Sequence, residues 1–272
     1  HQRHGFHAVI VEYVFLSRAL ELFDVGTTKI IDTHDVFANR HRMFLARGLP
    51  PEWFSTTTAE EAKGLARADV VIAIQDEERR HHEALGVKRV VEVGHVLSVE
   101  RRYPNALRAP AADMLFVGGS SPINADAVTE FAQHTLGLIR AQHPQARLLI
   151  AGGVCERLPD LAGCLRLGKV QDLAGTYAAA DLVINPVRLG TGLNIKSFEA
   201  LGYGMPLLAS PAGARGLEAA AGRALVVAEG PEAFARAACG LLADATARQA
   251  LSDAAWEFVN ESNQRHANTL AG

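Results

Sequence analysis

The sequence predicts an α/β protein with two Rossmann-like domains, each built around a parallel sheet, the first of them incomplete. Ten short apolar runs alternate with longer segments of helical periodicity. The runs are continuously apolar, which is typical of strands that helices cover on both faces. A length of 272 residues allows about two domains. Repeated strand–helix units of this kind predict right-handed crossovers and doubly wound sheets.

The predicted strands form two series along the chain. The first series is His7–Tyr13, Lys29–Asp35, Asp69–Gln75 and Arg89–Val96. The second series is Met114–Gly118, Arg147–Gly152, Leu165–Val170, Asp181–Pro186, Pro206–Ser210 and Ala224–Ala228. The first residue is His1 rather than Met, and an apolar run begins within ten residues. We therefore expect the chain to be part of a longer protein whose first domain lacks its early strands.

Local signals place several helices between these strands. Ser121 is a good N-cap residue, and Pro122 suits the first helical position. Apolar Ala127, Val128 and Phe131 then recur at helical spacing and predict one buried face. The run 76–83, which includes two adjacent histidines, is polar throughout and predicts a helix face in solvent.

The boundary between the domains is predicted near residues 97–113. This stretch is polar, contains proline and lacks apolar periodicity, as linkers often do. It divides the chain into a partial N-terminal domain over 1–100, a linker over 101–112 and a C-terminal domain over 113–272. The last helix of the C-terminal domain can cross back to the first domain.

Composition excludes several classes of protein. The chain is 49% apolar and 21% charged, which is globular composition. Its net charge of −3 and pI of about 6.4 do not favour nucleic-acid binding. Three cysteines without a CxxC pair argue against a disulfide framework and against structural zinc. No apolar run approaches the roughly 20 residues that span a bilayer. We expect a cytoplasmic protein, with membrane association left open.

A glycine-bearing turn carries the strongest chemical signal. The predicted strand from Asp181 leads into Gly190 and Gly192, and a helix then begins near Leu193. Glycines let the backbone approach a ligand, and the free N–H groups of a helix start favour an anion such as phosphate. Lys196 and Arg188 can add positive charge, while the two oxygens of Glu199 suit the hydroxyls of a ribose.

Two familiar glycine motifs do not fit this turn. The second glycine of a P-loop and the third glycine of a dinucleotide-binding motif would both fall at Ile195. An ordinary strand-to-helix turn with a surface pair of Lys196 and Glu199 remains an alternative.

The residues around the turn resemble a known family. Gly190–Gly192, Lys196, Phe198–Pro206 and Gly213–Leu217 closely resemble the nucleotide-sugar site of retaining GT-B glycosyltransferases of family GT4. The segments upstream and in the first domain are similar to the same family at Ile31–Asp35, Ala68–Ile74, Phe116–Ser120, Leu167–Leu173 and Tyr177–Pro186. The resemblance covers almost the whole chain.

The resemblance implies a GT-B fold and a metal-independent, retaining glycosyltransferase, with a hexosyltransferase as the expected class. The C-terminal domain would hold the nucleotide-sugar, and the N-terminal domain would bind most of the acceptor. Helix starts and basic side chains would stabilise the leaving diphosphate, so no cofactor and no metal is expected. A saccharide, a lipid-linked sugar and a small molecule all remain open as acceptors.

Roles carry over to individual positions. Glu199 matches the second acid of the Glu-x7-Glu motif, which binds ribose, whereas Thr191 stands at the first acid beside the donor sugar. His34 matches the active-site histidine region, so His34 and Thr191 are the catalytic candidates. The backbone near Lys169 and Val170 is the candidate base site. The candidates for the diphosphate are Gly118, Gly119, Arg188, Gly190, Gly192 and Lys196.

Two departures keep rival functions open. The first C-terminal loop has Gly119 and Asn124 where the family has Arg and Lys, and Thr191 replaces an acid. A GT-B nucleotide-sugar 2-epimerase and a non-catalytic nucleotide-binding module are the alternatives. Trp53 and Phe54 follow two prolines in a loop-like stretch, where simple packing, an acceptor contact and a peripheral membrane contact are all open. Three basic residues nearby could face an anionic acceptor or membrane surface; they are Arg40, Arg42 and Arg47.

Overall fold

The computed structural model describes residues 5–97, 101, 112–190 and 192–271. Contacts between Cα atoms divide the chain into two compact units. The first unit comprises His1–Val96, Thr191–Leu193 and Gln264–Gly272, and the second comprises Leu97–Gly190 and Asn194–Asn263. The predicted linker falls mainly on residues 102–111, which lie outside the described residues.

The first unit contains a four-stranded parallel sheet in the order β1-β2-β3-β4. The strands are β1 (Ala8–Glu12), β2 (Thr28–Asp32), β3 (Val70–Ala73) and β4 (Val90–Glu92). The helices are a 3₁₀ helix over Val14–Leu22, α1 (Arg40–Leu45), α2 (Thr58–Leu65) and α3 (Asp76–Ala84). The core consists of buried apolar side chains from the sheet, the 3₁₀ helix and α2, namely Val14, Leu20, Ile31, Phe37, Leu65 and Val71.

The second unit contains a six-stranded parallel sheet in the order β10-β9-β8-β5-β6-β7. The strands are β5 (Asp113–Val117), β6 (Arg147–Ala151), β7 (Cys164–Gly168), β8 (Leu182–Asn185), β9 (Leu207–Ala209) and β10 (Val226–Val227). The α-helices are α4 (Pro122–His134), α5 (Leu136–Gln142), α6 (Leu173–Ala178), α7 (Ile195–Gly202), α8 (Pro231–Ala243) and α9 (Ala245–Ala271), whose last residues belong to the first unit. Short 3₁₀ helices cover Gly153–Arg157 and Glu218–Ala220.

The predicted fold class is confirmed. All ten predicted strands form. Five of them are one or two residues shorter at each end, whereas β2, β5 and β7 begin one residue before the predicted start. β8 and β9 are buried at every position, as continuously apolar runs predict. The chain leaves β5 in one direction along the sheet and later returns to β8 on its other side. The carboxyl ends of β5 and β8 therefore flank a topological switch point, where open α/β sheets bind their ligands.

The predicted start of α4 is also confirmed. The Ser121 hydroxyl accepts a hydrogen bond from the backbone N–H of Ile123 at 3.2 Å, and Pro122 is the first helical residue. The face formed by Ala127, Val128 and Phe131 is buried. This helix packs against the core of the second unit and leads away from the loop that follows β5.

The expectation for the polar run 76–83 is wrong on one face of its helix. Glu78 and His82 of α3 are 1% and 0% exposed. His82 lies 3.4 Å from the hydroxyl of Thr33, just after β2, and Glu78 accepts from the N–H of Ile74 at 3.2 Å. Packing of α3 on the sheet buries whichever residues face it, and here those residues are polar.

None of the helices in the described ranges combines the length and the apolar character that a membrane span requires.

Burial of Glu78 predicts a pH-dependent loss of stability. Burial raises the pKa of the Glu78 carboxyl to about 8. The contribution of this carboxyl to the free energy of unfolding is therefore complete below about pH 4.5 and is lost as the pH rises toward 8. We expect Glu78→Gln to gain roughly 3–4 kcal/mol relative to wild type between pH 5 and pH 8. Urea denaturation at both pH values measures this difference. The control is Glu83→Gln on the exposed side of the same helix, which should leave the pH dependence unchanged.

Candidate functional site

A cavity of about 470 Å³ lies in the second unit at the switch point of its sheet. Its walls come from the loops after β5, β6 and β7 and from the first turn of α7. The lining residues are Val117, Gly118, Gly119, Gly152, Gly153, Lys169, Val170, Leu173, Ile195, Lys196 and Glu199. Candidates for diphosphate, ribose and base contacts therefore line one cavity.

Glycines form one wall of this cavity because two loops approach each other closely. Gly152 has a φ of +100°, and a Cβ there would lie 2.3 Å from the carbonyl oxygen of Gly118. A Cβ on Gly153 would lie 3.0 Å from the backbone nitrogen of Ser120. Gly118 and Gly119 were predicted from the sequence, whereas Gly152 and Gly153 were not, although a Gly-Gly pair at the end of a predicted strand indicates such a close approach.

Lys196 brings positive charge into the cavity. It lies in the first turn of α7, and its Nζ is 5.9 Å from the centroid of the Phe116 ring, a cation–π distance. Burial lowers the pKa of the Lys196 amine to about 8, because the charged form loses solvation. No carboxylate of the described residues forms an ion pair with it. An anion in the cavity would restore the lost solvation.

Glu199 lies one turn later on the same helix and has a different environment. The hydroxyl of Tyr177 donates to its Oε2 at 3.5 Å, and Tyr177 is fully buried and stacked on Tyr203 at 4.7 Å. Burial raises the pKa of the Glu199 carboxyl above its usual value. The alternative of a solvated surface pair between Lys196 and Glu199 is therefore wrong, because both side chains line the cavity without pairing.

A buried amide fixes the start of α7. The Asn185 side chain, at the end of β8, donates to the Oδ1 of Asn194 and to the hydroxyl of Ser197, each at 2.7 Å. The Ser197 hydroxyl in turn donates to the carbonyl of Gly213 at 2.7 Å. A Cβ on Gly213 would lie 2.4 Å from the carbonyl oxygen of Asn185. This network ties β8, α7 and the loop after β9 together, and no sequence motif predicts it.

The other sequence candidates lie elsewhere. Arg188 forms an ion pair with Glu130 of α4 and is not a lining residue. Gly190 and Gly192 do not line the cavity either, and Gly192 groups with the first unit. Thr191 lies outside the described residues. The contacts proposed for these four residues stay predictions.

Lys169 and Val170 lie at the rim that β7 supplies. Lys169 is largely exposed, and its Nζ is 3.1 Å from Oε1 of Glu156. Its charge is thus already partnered, so the backbone of this segment is the better candidate for contact with a base.

In the first unit, His34 lies in a compact polar cluster. It follows β2 with a φ of 58°, and its Nε2 contacts Glu12 and is 3.7 Å from Oδ2 of Asp32. Burial raises the pKa of the Asp32 carboxyl. One ligand atom of each residue lies within 4.8 Å of the others, a spacing that suits a metal ion. The expectation that no metal is needed stays a prediction.

The basic residues near Trp53 have different environments. Arg40 forms an ion pair with Asp35 and lies over the Phe37 ring at 5.7 Å, so most of its side chain is buried. This packing removes it from the set that could face an acceptor or membrane. Arg42 and Arg47 are exposed.

Comparisons with known proteins support the resemblance. Residues 111–244 match the family described as "Glycosyl transferases group 1". No curated protein sequence matches the chain. Solved structures share the fold, and the recognition of a GT-B glycosyltransferase fold is confirmed.

Three of these structures illustrate the likeness. TarM aligns with a TM-score of 0.75 at 11% sequence identity, and the alignment covers 97% of this chain and 54% of TarM. Sucrose-phosphate synthase from Thermosynechococcus elongatus aligns with a TM-score of 0.74 at 19% identity, and the alignment covers 100% of this chain and 73% of the synthase. HepE from Anabaena, solved with UDP and glucose, aligns with a TM-score of 0.69 at 15% identity, and the alignment covers 100% of this chain and 79% of HepE. The chain thus spans about half the length of TarM.

Proposed function

We propose that this protein transfers a sugar from a nucleotide-sugar to an acceptor hydroxyl, without a metal ion and with retention at the anomeric carbon. One observation carries the proposal. The switch-point cavity combines glycine walls, a half-buried amine at Lys196 that has no carboxylate partner among the described residues, and, one turn later on α7, a carboxylate at Glu199 that accepts from Tyr177. These groups match the diphosphate and the ribose of a nucleotide. We also propose that the protein is cytoplasmic, either free or in peripheral contact with a membrane.

The diphosphate is the anion that fits the cavity. Lys196 and the N–H groups at the start of α7 offer positive charge and hydrogen-bond donors. Gly118 and Gly119 let the ligand approach the backbone after β5. In transfer, the bond between the anomeric carbon and the diphosphate oxygen breaks, and the acceptor oxygen bonds to that carbon while its proton passes to the diphosphate. Donors that face the leaving oxygens lower the barrier to this step.

Glu199 and the rim of β7 recognise the nucleoside in this proposal. The carboxylate is an acceptor-only group whose two oxygens suit two vicinal hydroxyls. The hydroxyl of Tyr177 donates to the Glu199 carboxylate and restricts the orientation of that group. Because the HepE structures contain UDP and UDP-glucose, we take UDP as the first nucleotide to test.

Titration of Lys196 provides a first test. The lowered pKa of about 8 means that the amine is charged at pH 7 and largely neutral at pH 9, so UDP affinity should fall about tenfold over this range. Isothermal titration calorimetry with UDP in EDTA measures the change. In Lys196→Met we expect weak binding without this pH dependence. The exposed Lys88→Met is the control and should behave as wild type. A pH dependence that survives in Lys196→Met would contradict the assignment.

The ribose assignment is tested by Glu199→Ala. Loss of a charged hydrogen-bonding group should weaken nucleotide binding by about 1.5–3 kcal/mol, roughly tenfold or more. Thermal shift with UDP, GDP, ADP, dTDP and CDP also identifies the base. Glu232→Ala, in the exposed first turn of α8, serves as the control. Equal affinity in Glu199→Ala and wild type would sink the ribose assignment.

Turnover separates the proposed enzyme from its rivals. With UDP-glucose and a panel of saccharide acceptors, we expect UDP release together with an α-linked product, detected by the anomeric coupling constant in NMR. A 2-epimerase would change the donor sugar without an acceptor. A non-catalytic module would bind UDP and leave UDP-glucose intact, and a β-linked product would disprove retention.

A further inference from the structure

The first unit carries an exposed group of aromatic rings that the donor site does not use. We call Tyr13, Phe15, Trp53 and Phe54 the aromatic platform. Trp53 is 67% exposed, and the plane of its indole is nearly perpendicular to the rings of Tyr13 and Phe15, at 77° and 82°. Tyr13 and Phe15 stack with centroids 5.0 Å apart, and Phe54 lies 4.9 Å from Phe15.

The platform is held from beneath by a buried ring. Phe37 is 0% exposed and lies 5.6–6.1 Å from the rings of Tyr13, Phe15 and Phe54. Trp53 has a φ of +68°, a conformation that a bulky residue rarely adopts. These contacts orient the rings while a large part of the indole stays in solvent.

Hydrogen-bonding groups adjoin the platform at the carboxyl ends of β1 and β2. The ring of Tyr13 lies 4.7 Å from the imidazole of His34. Glu12 precedes Tyr13 in the chain, and its carboxylate contacts the same imidazole, with Asp32 next to it. The side chains of Glu12, Asp32 and His34 are 55%, 31% and 36% exposed, so a ligand can reach all three.

The combination fits the two kinds of surface on a sugar ring. A pyranose has an apolar face of C–H groups, which packs on aromatic rings, and a rim of hydroxyls, which donate to carboxylates. Sites that bind small polar molecules commonly join an apolar wall to a few well-placed polar groups. An anionic lipid surface fits poorly, because Glu12 and Asp32 would repel it.

We propose that the aromatic platform and the adjoining cluster of Glu12, Asp32 and His34 form a binding site for a neutral pyranose. As the acceptor site its role rests on the proposed function, and it narrows the acceptor to a saccharide. Saccharide binding itself can be measured without turnover.

Saturation-transfer NMR on the full chain tests the proposal. The probes are methyl α-glucoside, methyl α-mannoside, N-acetylglucosamine, maltose and cellobiose at millimolar concentration, in EDTA so that no metal bridges the sugar and the cluster. We expect transfer to at least one probe, strongest at its ring C–H protons. Trp53→Ala should abolish the transfer, whereas Trp256→Phe, which changes the other tryptophan of the chain, should keep it.

The carboxylate contribution is tested separately. Glu12→Gln should lower the affinity for the saccharide probe about tenfold, a loss typical of a charge-assisted hydrogen bond. The exposed Glu60→Gln on α2 is the matched control. Melting temperatures equal to wild type show that both variants fold, and Glu12→Gln still decides the proposal if Trp53→Ala does not fold.

Three results would overturn the proposal. They are no transfer to any probe, transfer unchanged in both Trp53→Ala and Glu12→Gln, and binding to phosphatidylcholine–phosphatidylglycerol vesicles that depends on Trp53 while saccharides do not bind. The last result would identify a membrane contact through Trp53 and the exposed Leu45, Arg42 and Arg47. UDP titration of the same samples keeps the two proposals apart, because loss of UDP binding with saccharide binding intact affects only the donor site.

Discussion

The switch-point cavity depends on one buried hydrogen-bonded amide. Asn185 ends β8, and its side chain holds Asn194 and Ser197 at the start of α7, while Ser197 holds the loop at Gly213. Losing one of these donated hydrogen bonds in such a dry position would cost about 1–3 kcal/mol. The Oδ1 of the same amide has no partner among the described residues, so the network is held by the donors of Nδ2. Lys196 and Glu199 project from the turn that this network fixes, and their positions relative to the glycine loops follow from it. The geometry of the site is therefore set by residues that no ligand needs to touch.

Electrostatics then determine what the cavity attracts. Lys196 and Glu199 are three residues apart on one helix and would attract each other in solvent. In the structure, Lys196 lies near the Phe116 ring and Glu199 accepts from Tyr177, so neither charge is neutralised by the other. Burial shifts both pKa values toward the neutral forms, which means that each group gains from a ligand of complementary character. An anion and a pair of hydroxyls are that complement.

The sequence predicted the framework better than the side-chain contacts. Continuous apolar runs identified every strand, and burial on both faces is complete in the central strands β8 and β9. The strands β1 and β7 keep exposed positions, and their runs were recognised by apolar character alone. Gly118, Lys196 and Glu199 were found through local motifs, and they line the cavity. Arg188 was placed with the phosphates, yet it pairs with Glu130, 58 residues away in the chain. The burial of Glu78 and His82 and the role of Asn185 were missed for the same reason, because a polar residue shows its partner only when distant segments pack together.

The two candidate sites differ in charge, and this difference can direct each of the two proposed ligands to its own site. A nucleotide-sugar carries a diphosphate, which the Glu12 and Asp32 carboxylates repel and the Lys196 amine attracts. A neutral saccharide gains little from an isolated amine but can donate several hydroxyls to carboxylates and pack on an indole. Discrimination of this kind uses repulsion as well as attraction, so neither substrate has to be rejected by shape alone. Substituting Glu12 and Asp32 by amides would remove the repulsion and leave the aromatic rings in place. Nucleotides should then be able to approach the rings, because in the wild type the two carboxylates, rather than Trp53, keep them out.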